Sequence, residues 1–153
     1  GYLGGRFWSG HHHPRRGEMP YEYRLCAVVT VLVYALNARS GVAVGVARDK
    51  YNVPVPQTKG PPDFERVFRA HSNNAEQYPQ FLALMWVFAA FVNANAAGLM
   101  GVFWVVMRHL YVSAYHKGER IQTYTIPAYL ILSAYSIGIV GVVGWSFIQD
   151  FLM

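Results

Sequence analysis

The chain has 153 residues, 54% of them apolar and only 14% charged, with a formal charge of +5. That length fits one domain, and so lopsided a composition excludes an ordinary soluble one. The charges lie mostly outside four apolar segments, so the basic excess concerns membrane topology and not nucleic acid.

Gly1–Pro20 reads as a basic extension rich in Gly, His and aromatics, and residues 21–153 as one membrane domain. The extension has no apolar core long enough for a secretory signal, and an end left by organellar processing would look like it. His11–His13 could ligate a metal. Adjacent histidines on a Pro/Gly segment read more cheaply as a solvated tract, so no metal site is expected. Cys26 is the single cysteine, which rules out an internal disulfide and a cysteine-based metal site.

The apolar segments are Tyr23–Ala47, Ala75–Val92, Ala96–Tyr115 and Tyr124–Ile148. Each is long enough, as a helix of about 20 residues, to cross a hydrocarbon core of about 30 Å. A soluble bundle would carry charge on one face of every helix, and Ile137–Ile148 carries none. The first span contains Asn37 and Arg39, and a lone arginine at that depth needs a partner, a headgroup or a protein interior. It ends in the basic exit VARDKYNV, followed by a proline-rich connector to Pro62.

The second helix is expected to start near Asp63, where Asp63 and Glu65 complement the helix dipole. Pro79 is expected to kink it. Arg69, Asn73 and Glu76 stand at i, i+4 and i+7 and share a face, offering a cation, an amide and a carboxylate. That set suits a small zwitterionic ligand with carboxylates and an amine. A turn of a few residues near Asn93–Asn95 makes the second and third spans antiparallel neighbours. Gly98 and Gly101 permit close helix approach. Arg108, Tyr111 and Tyr115 share a face at the end of the third span. The fourth has a stripe of Ser133, Ser136, Gly138, Gly141 and Gly144 suited to packing. The linkers after spans one and three hold most of the cations, which places them on the cytosol-like side, while Arg6, Arg15, Arg16 and Arg24 argue the opposite.

Tyr111 and Tyr115 taken singly are interfacial anchors, and Arg69 or Arg108 taken singly a snorkelling cation. Together they carry a resemblance. FERVFRAHSNNAEQYPQF and RHLYVSAY are similar to the membrane-associated eicosanoid and glutathione metabolism superfamily, from about Arg24 to the C-terminus. The pattern RAH-x-N-x-x-E-x-YP, which includes His71, is nearest to the type-three microsomal glutathione S-transferases. The resemblance implies an all-α, integral-membrane four-helix bundle that forms trimers, with glutathione bound between subunits. It puts Arg48, Arg69, Asn73, Glu76, Arg108, Tyr111 and Tyr115 on glutathione-contacting positions. Arginine can clamp a carboxylate, Glu76 can accept the amino group and Asn73 can bond a peptide group.

The chain departs from the family where the thiolate is made. Active members place an arginine near the glutathione sulfur, seven or eight residues past the second tyrosine. Gln122 and Thr123 stand there, and Arg120 is the nearest cation. Asp49 replaces a second arginine found in some members, and Gln77 replaces a tyrosine.

Two functions from different classes follow. One is a membrane glutathione transferase or peroxidase acting on lipophilic electrophiles or lipid hydroperoxides, with Arg120 as catalytic cation. The other is a non-catalytic subunit of a larger membrane complex, such as a respiratory assembly. The resemblance implies the endoplasmic reticulum for the first, and the second fits the mitochondrial inner membrane. Membrane lipids are expected partners in both, and nucleic acid in neither.

Overall fold

The computed structural model describes residues 19–153, so His11–His13 and the basic residues Arg6, Arg15 and Arg16 lie outside the described part. A short 3-10 turn, Tyr21–Tyr23, leads into α1, Arg24–Tyr51. Asn52 ends α1 in the left-handed region, with φ 51°, and its N–H caps the Arg48 carbonyl. α2 runs from Pro62 to Phe88, with proline in its first turn beside Asp63 and Glu65. Proline lacks the N–H that a first turn leaves unbonded anyway, and the two carboxylates meet the positive end of the dipole.

The helical run continues unbroken through Pro79. The departure from α geometry comes later, in the π-helical turn Ala89–Asn93. There Asn93 takes an extended backbone and its side chain accepts from the Ala96 N–H, capping α3, Ala94–Lys117. Such a cap satisfies one of the donors a helix start leaves open. Gly118 ends α3 at φ 71°, a conformation glycine adopts without a Cβ clash. α4 spans Gln122–Leu152.

Among the described residues, three helical runs are long and apolar enough to cross a membrane: Tyr21–Tyr51, Pro62–Lys117 and Gln122–Leu152. The middle run is a hairpin. Its halves pair antiparallel about Asn93, with Asn73 beside Tyr111 and Phe81 beside Trp104. The fold is thus an all-α, four-helix membrane bundle.

Lipid tails are as apolar as leucine, so close packing and internal hydrogen bonds hold such helices together. Phe81 and Trp104 stack at 3.8 Å between ring centres, nearly parallel. Tyr135 buries its ring against Phe88 and donates to the Ala97 carbonyl at 2.7 Å, tying α4 to α3. Glycines set the α1–α3 approach. A Cβ on Gly98 would lie 2.8 Å from Leu25, and one on Gly101 3.0 Å from Val29. The stripe on α4 behaves differently along its length. Gly138 packs on Phe88, while Gly141 and Gly144 face open space.

Candidate functional site

The polar residues gather where α1 and α3 end and α2 and α4 begin. Arg108, on α3, is buried at 3% exposure. Among the described residues no carboxylate forms an ion pair with it. Its Nε donates to Asn74 Oδ1 at 2.8 Å, and Nη2 donates to the same oxygen and to the Asn73 carbonyl at 3.3 Å. Its guanidinium lies 4.2 Å from the centre of the Tyr111 ring and 5.9 Å from that of Trp104. Amide oxygens and aromatic faces together make a buried cation tolerable. Nη1 takes no part in those bonds.

Tyr111 is buried, and its hydroxyl accepts from Asn73 Nδ2 at 2.7 Å. A tyrosine acting purely as an interfacial anchor would keep its hydroxyl in the headgroup region. Tyr115 tilts against Tyr111 with ring centres 5.5 Å apart. On the α4 side, Gln77 Nε2 donates to the Tyr129 hydroxyl at 2.9 Å.

These groups border one recess of about 270 Å³, lined by Asn73, Glu76, Gln77, Arg108, Tyr111 and Tyr129, with Ile121 and Thr125 closing it on the α4 side. A cation, a carboxylate, two amides and two phenols thus converge within one chain. Of the residues singled out from the sequence, Asn73, Glu76, Arg108 and Tyr111 line this recess and Tyr115 packs on Tyr111.

The remaining three lie elsewhere. Arg69 is exposed one helical turn before Asn73 and does not line the recess. Arg48 turns toward the connector. It donates to the carbonyls of Val53, Pro54 and Gln57 at 3.2, 3.2 and 2.8 Å, above the rings of Phe64 and Phe68. Arg120 is exposed in the α3–α4 loop, as is Gln122. His71, part of the quoted motif, faces α1, where its Nδ1 is 2.9 Å from Ser40 Oγ.

Asn74, Gln77, Thr125 and Tyr129 contribute to the site without having been singled out for it. Asn74 had a readable signal. It heads the stripe Asn74, Tyr78, Phe81 and Met85, all buried at helical spacing on α2. A polar residue in register with an apolar stripe has to meet a polar partner inside.

The MAPEG family model matches residues 25–147. Leukotriene C4 synthase of Mus musculus is 39% identical over 104 residues, covering 68% of this chain and 69% of that protein. Leukotriene C4 synthase of Rattus norvegicus is 41% identical over 102 residues, covering 67% and 68%. Microsomal glutathione S-transferase 2 of Homo sapiens is 32% identical over 130 residues, covering 84% and 88%. The chain belongs to the MAPEG family.

Proposed function

We propose that this member of the MAPEG family binds glutathione at the α2–α3–α4 recess and works as a membrane glutathione transferase or peroxidase. Its second substrate is a lipophilic electrophile or lipid hydroperoxide arriving from the bilayer. The observation that carries this reading is the convergence of Arg108, Glu76, Asn73 and Tyr111 on one recess. Glutathione is a zwitterion with two carboxylates, an amine and two peptide groups. Arg108 offers Nη1 to a carboxylate, exposed Glu76 accepts the amine and the amide and phenol groups meet the peptide bonds.

Arg69, Arg48 and Tyr115 complete the set in a homotrimer, where a neighbouring subunit supplies the wall that one subunit leaves open. Arg48 would then act partly through the connector it holds. Arg120 is the cation the loop brings toward the sulfur, favouring the thiolate, which is the nucleophile. In this reading the protein resides in the endoplasmic reticulum.

Calorimetric titration with glutathione tests the site. Glu76→Ala, at the recess itself, removes the acceptor for the amine and should weaken binding about tenfold or more, as should Arg69→Ala where a neighbouring subunit closes the site. Unchanged binding with the fold intact rejects the assignment.

A second reading has its own observation: Arg120 and Gln122 are both exposed and neither lines the recess. A subunit retired from catalysis and built into a larger complex, for instance in the mitochondrial inner membrane, would retain the ligand face without a cation at the sulfur. Ultraviolet difference spectroscopy of the glutathione complex near neutral pH separates the two. A thiolate band that vanishes in Arg120→Ala, with turnover at least about tenfold lower while glutathione still binds, supports the enzyme. Glutathione bound as the thiol in the wild type supports the retired subunit.

A further inference from the structure

α3 has a second polar side, turned toward α1. His109, Ser113 and His116 stand at i, i+4 and i+7 and face Arg39 across a separate recess of about 140 Å³. Leu36 and Val112 are among its apolar walls. The guanidinium of Arg39 lies 3.2 Å from His109 Nδ1. With arginine as the donor, Nδ1 accepts and the imidazole proton sits on Nε2, so His109 keeps a donor of its own. Ser113 adds a hydroxyl and His116 a second imidazole. Among the described residues no carboxylate lines the recess and none pairs with Arg39.

Arg39 lies nine residues before Arg48 on α1, about 13 Å deeper at the helical rise. Exposed apolar side chains flank it along α1, with Val28, Val31 and Leu32 on the deeper side and Val42 and Val46 toward Arg48. A cation set among apolar side chains at that depth is expensive until an anion reaches it. The recess rises from Arg39 and His109 to His116, on the last turn of α3.

We propose that this α1–α3 recess is a phosphate site that takes the phosphodiester headgroup of an anionic membrane lipid. The guanidinium provides the planar fork that matches a phosphate, and the imidazoles and Ser113 supply the flanking donors. The acyl chains lie along Val28, Val31 and Leu32, exposed on the deeper side of Arg39, an apolar surface a free phosphate ion would not use. The site is independent of the glutathione recess, which opens on the other side of α3.

The test is native mass spectrometry of delipidated protein in non-ionic detergent, after adding phosphatidylglycerol, a diacylglycerol with the same chains, or inorganic phosphate. The wild type should retain phosphatidylglycerol and lose diacylglycerol. Arg39→Gln should reduce retention about tenfold, and Arg39→Lys less, because it keeps the charge without the fork. Equal retention of the two lipids, or equal phosphatidylglycerol on wild type and Arg39→Gln, overturns the site. Displacement of phosphatidylglycerol by low-millimolar inorganic phosphate overturns the lipid as its occupant. Should Arg39→Gln fail to fold, His116→Gln and Arg39→Lys carry the same comparison, and wild-type retention in both then overturns the proposal.

Discussion

The two ends of the bundle solve opposite problems. Around Arg108, buried polar side chains are tied to one another, Arg108 to Asn74 and to the Asn73 carbonyl and Asn73 to Tyr111, while among the described residues Asn74 Nδ2, the Tyr78 hydroxyl and Trp104 Nε1 are buried without a partner. Beyond the turn at Ala89–Asn93, large apolar side chains stand in the open, among them Ile137 at 73% exposure, Phe147 at 71% and Phe151 at 89%. In water such a patch would be an aggregation hazard. Against lipid it costs nothing, while an unpaired polar group in the same place would be costly. The polar end is therefore specified residue by residue, and the apolar end mainly by its hydrophobicity. Substitutions at the two ends should differ accordingly.

The largest effect is expected at Asn74. Its carboxamide oxygen takes two donors from a buried guanidinium. Asn74→Ala strips that acceptor and leaves a charge without its main partner, a loss of about 3 kcal/mol or more. Unfolding in mild detergent, followed by circular dichroism, should show it. A variant as stable as wild type would mean that Asn73 and the aromatic faces suffice for Arg108.

Next is the contact that lets α1 and α3 approach. Gly98→Val would push a branched side chain into Leu25, already 2.8 Å from the position of a Cβ. Overpacking of this kind costs about 1–3 kcal/mol. The same substitution at Gly144, which has open space around it, should cost far less. Equal losses at the two glycines would mean that the space around a Cβ does not decide the cost.

How far the amino-acid order showed this arrangement depends on what kind of information each part needs. The four helices were legible because bilayer thickness and helical rise set a length that apolar runs either meet or miss. The faces were legible too: Arg69, Asn73 and Glu76 share one by arithmetic, as do Arg108, Tyr111 and Tyr115. Pairing between faces was not. Periodicity places Asn73 and Tyr111 on their own helices, but only the hairpin at Asn93 brings them within 2.7 Å. Arg48 illustrates the same limit. Its type and its place at a helix end suit a carboxylate as well as three connector carbonyls, and the path of the proline-rich connector decides which it meets. Tyr129 sits inside an apolar helix, where nothing local distinguishes it from a lipid-facing aromatic.

A smaller effect at the polar end comes from Tyr111→Phe. The ring keeps its contact with Arg108, but Asn73 loses its acceptor. A partly buried amide without its partner costs about 1 kcal/mol. Glutathione affinity and thermal stability should both fall modestly. If neither moves in Tyr111→Phe or Tyr115→Phe, the two tyrosines are anchors after all, and the polar end is less specified than its geometry suggests.

The smallest effect is the one that says most about what lies outside the subunit. Gly141 and Gly144 are exposed on α4, and a Cβ at either would meet nothing within 4 Å. Alanine there should be neutral or slightly stabilising to the isolated fold, because alanine favours the helix over glycine by about 1 kcal/mol. That outcome assumes lipid on the far side, which yields to a methyl group. A second helix would not yield. Small residues on an exposed helix face let another backbone come close, and added methyl groups hold it off. The double variant Gly141→Ala, Gly144→Ala should therefore keep its melting temperature and its oligomeric state in mild detergent if the apolar end meets only lipid. If the melting temperature holds while the assembly measured by native mass spectrometry falls apart, a partner helix packs on this stripe. The apolar end would then be as closely specified as the polar one, through contacts that lie outside one subunit.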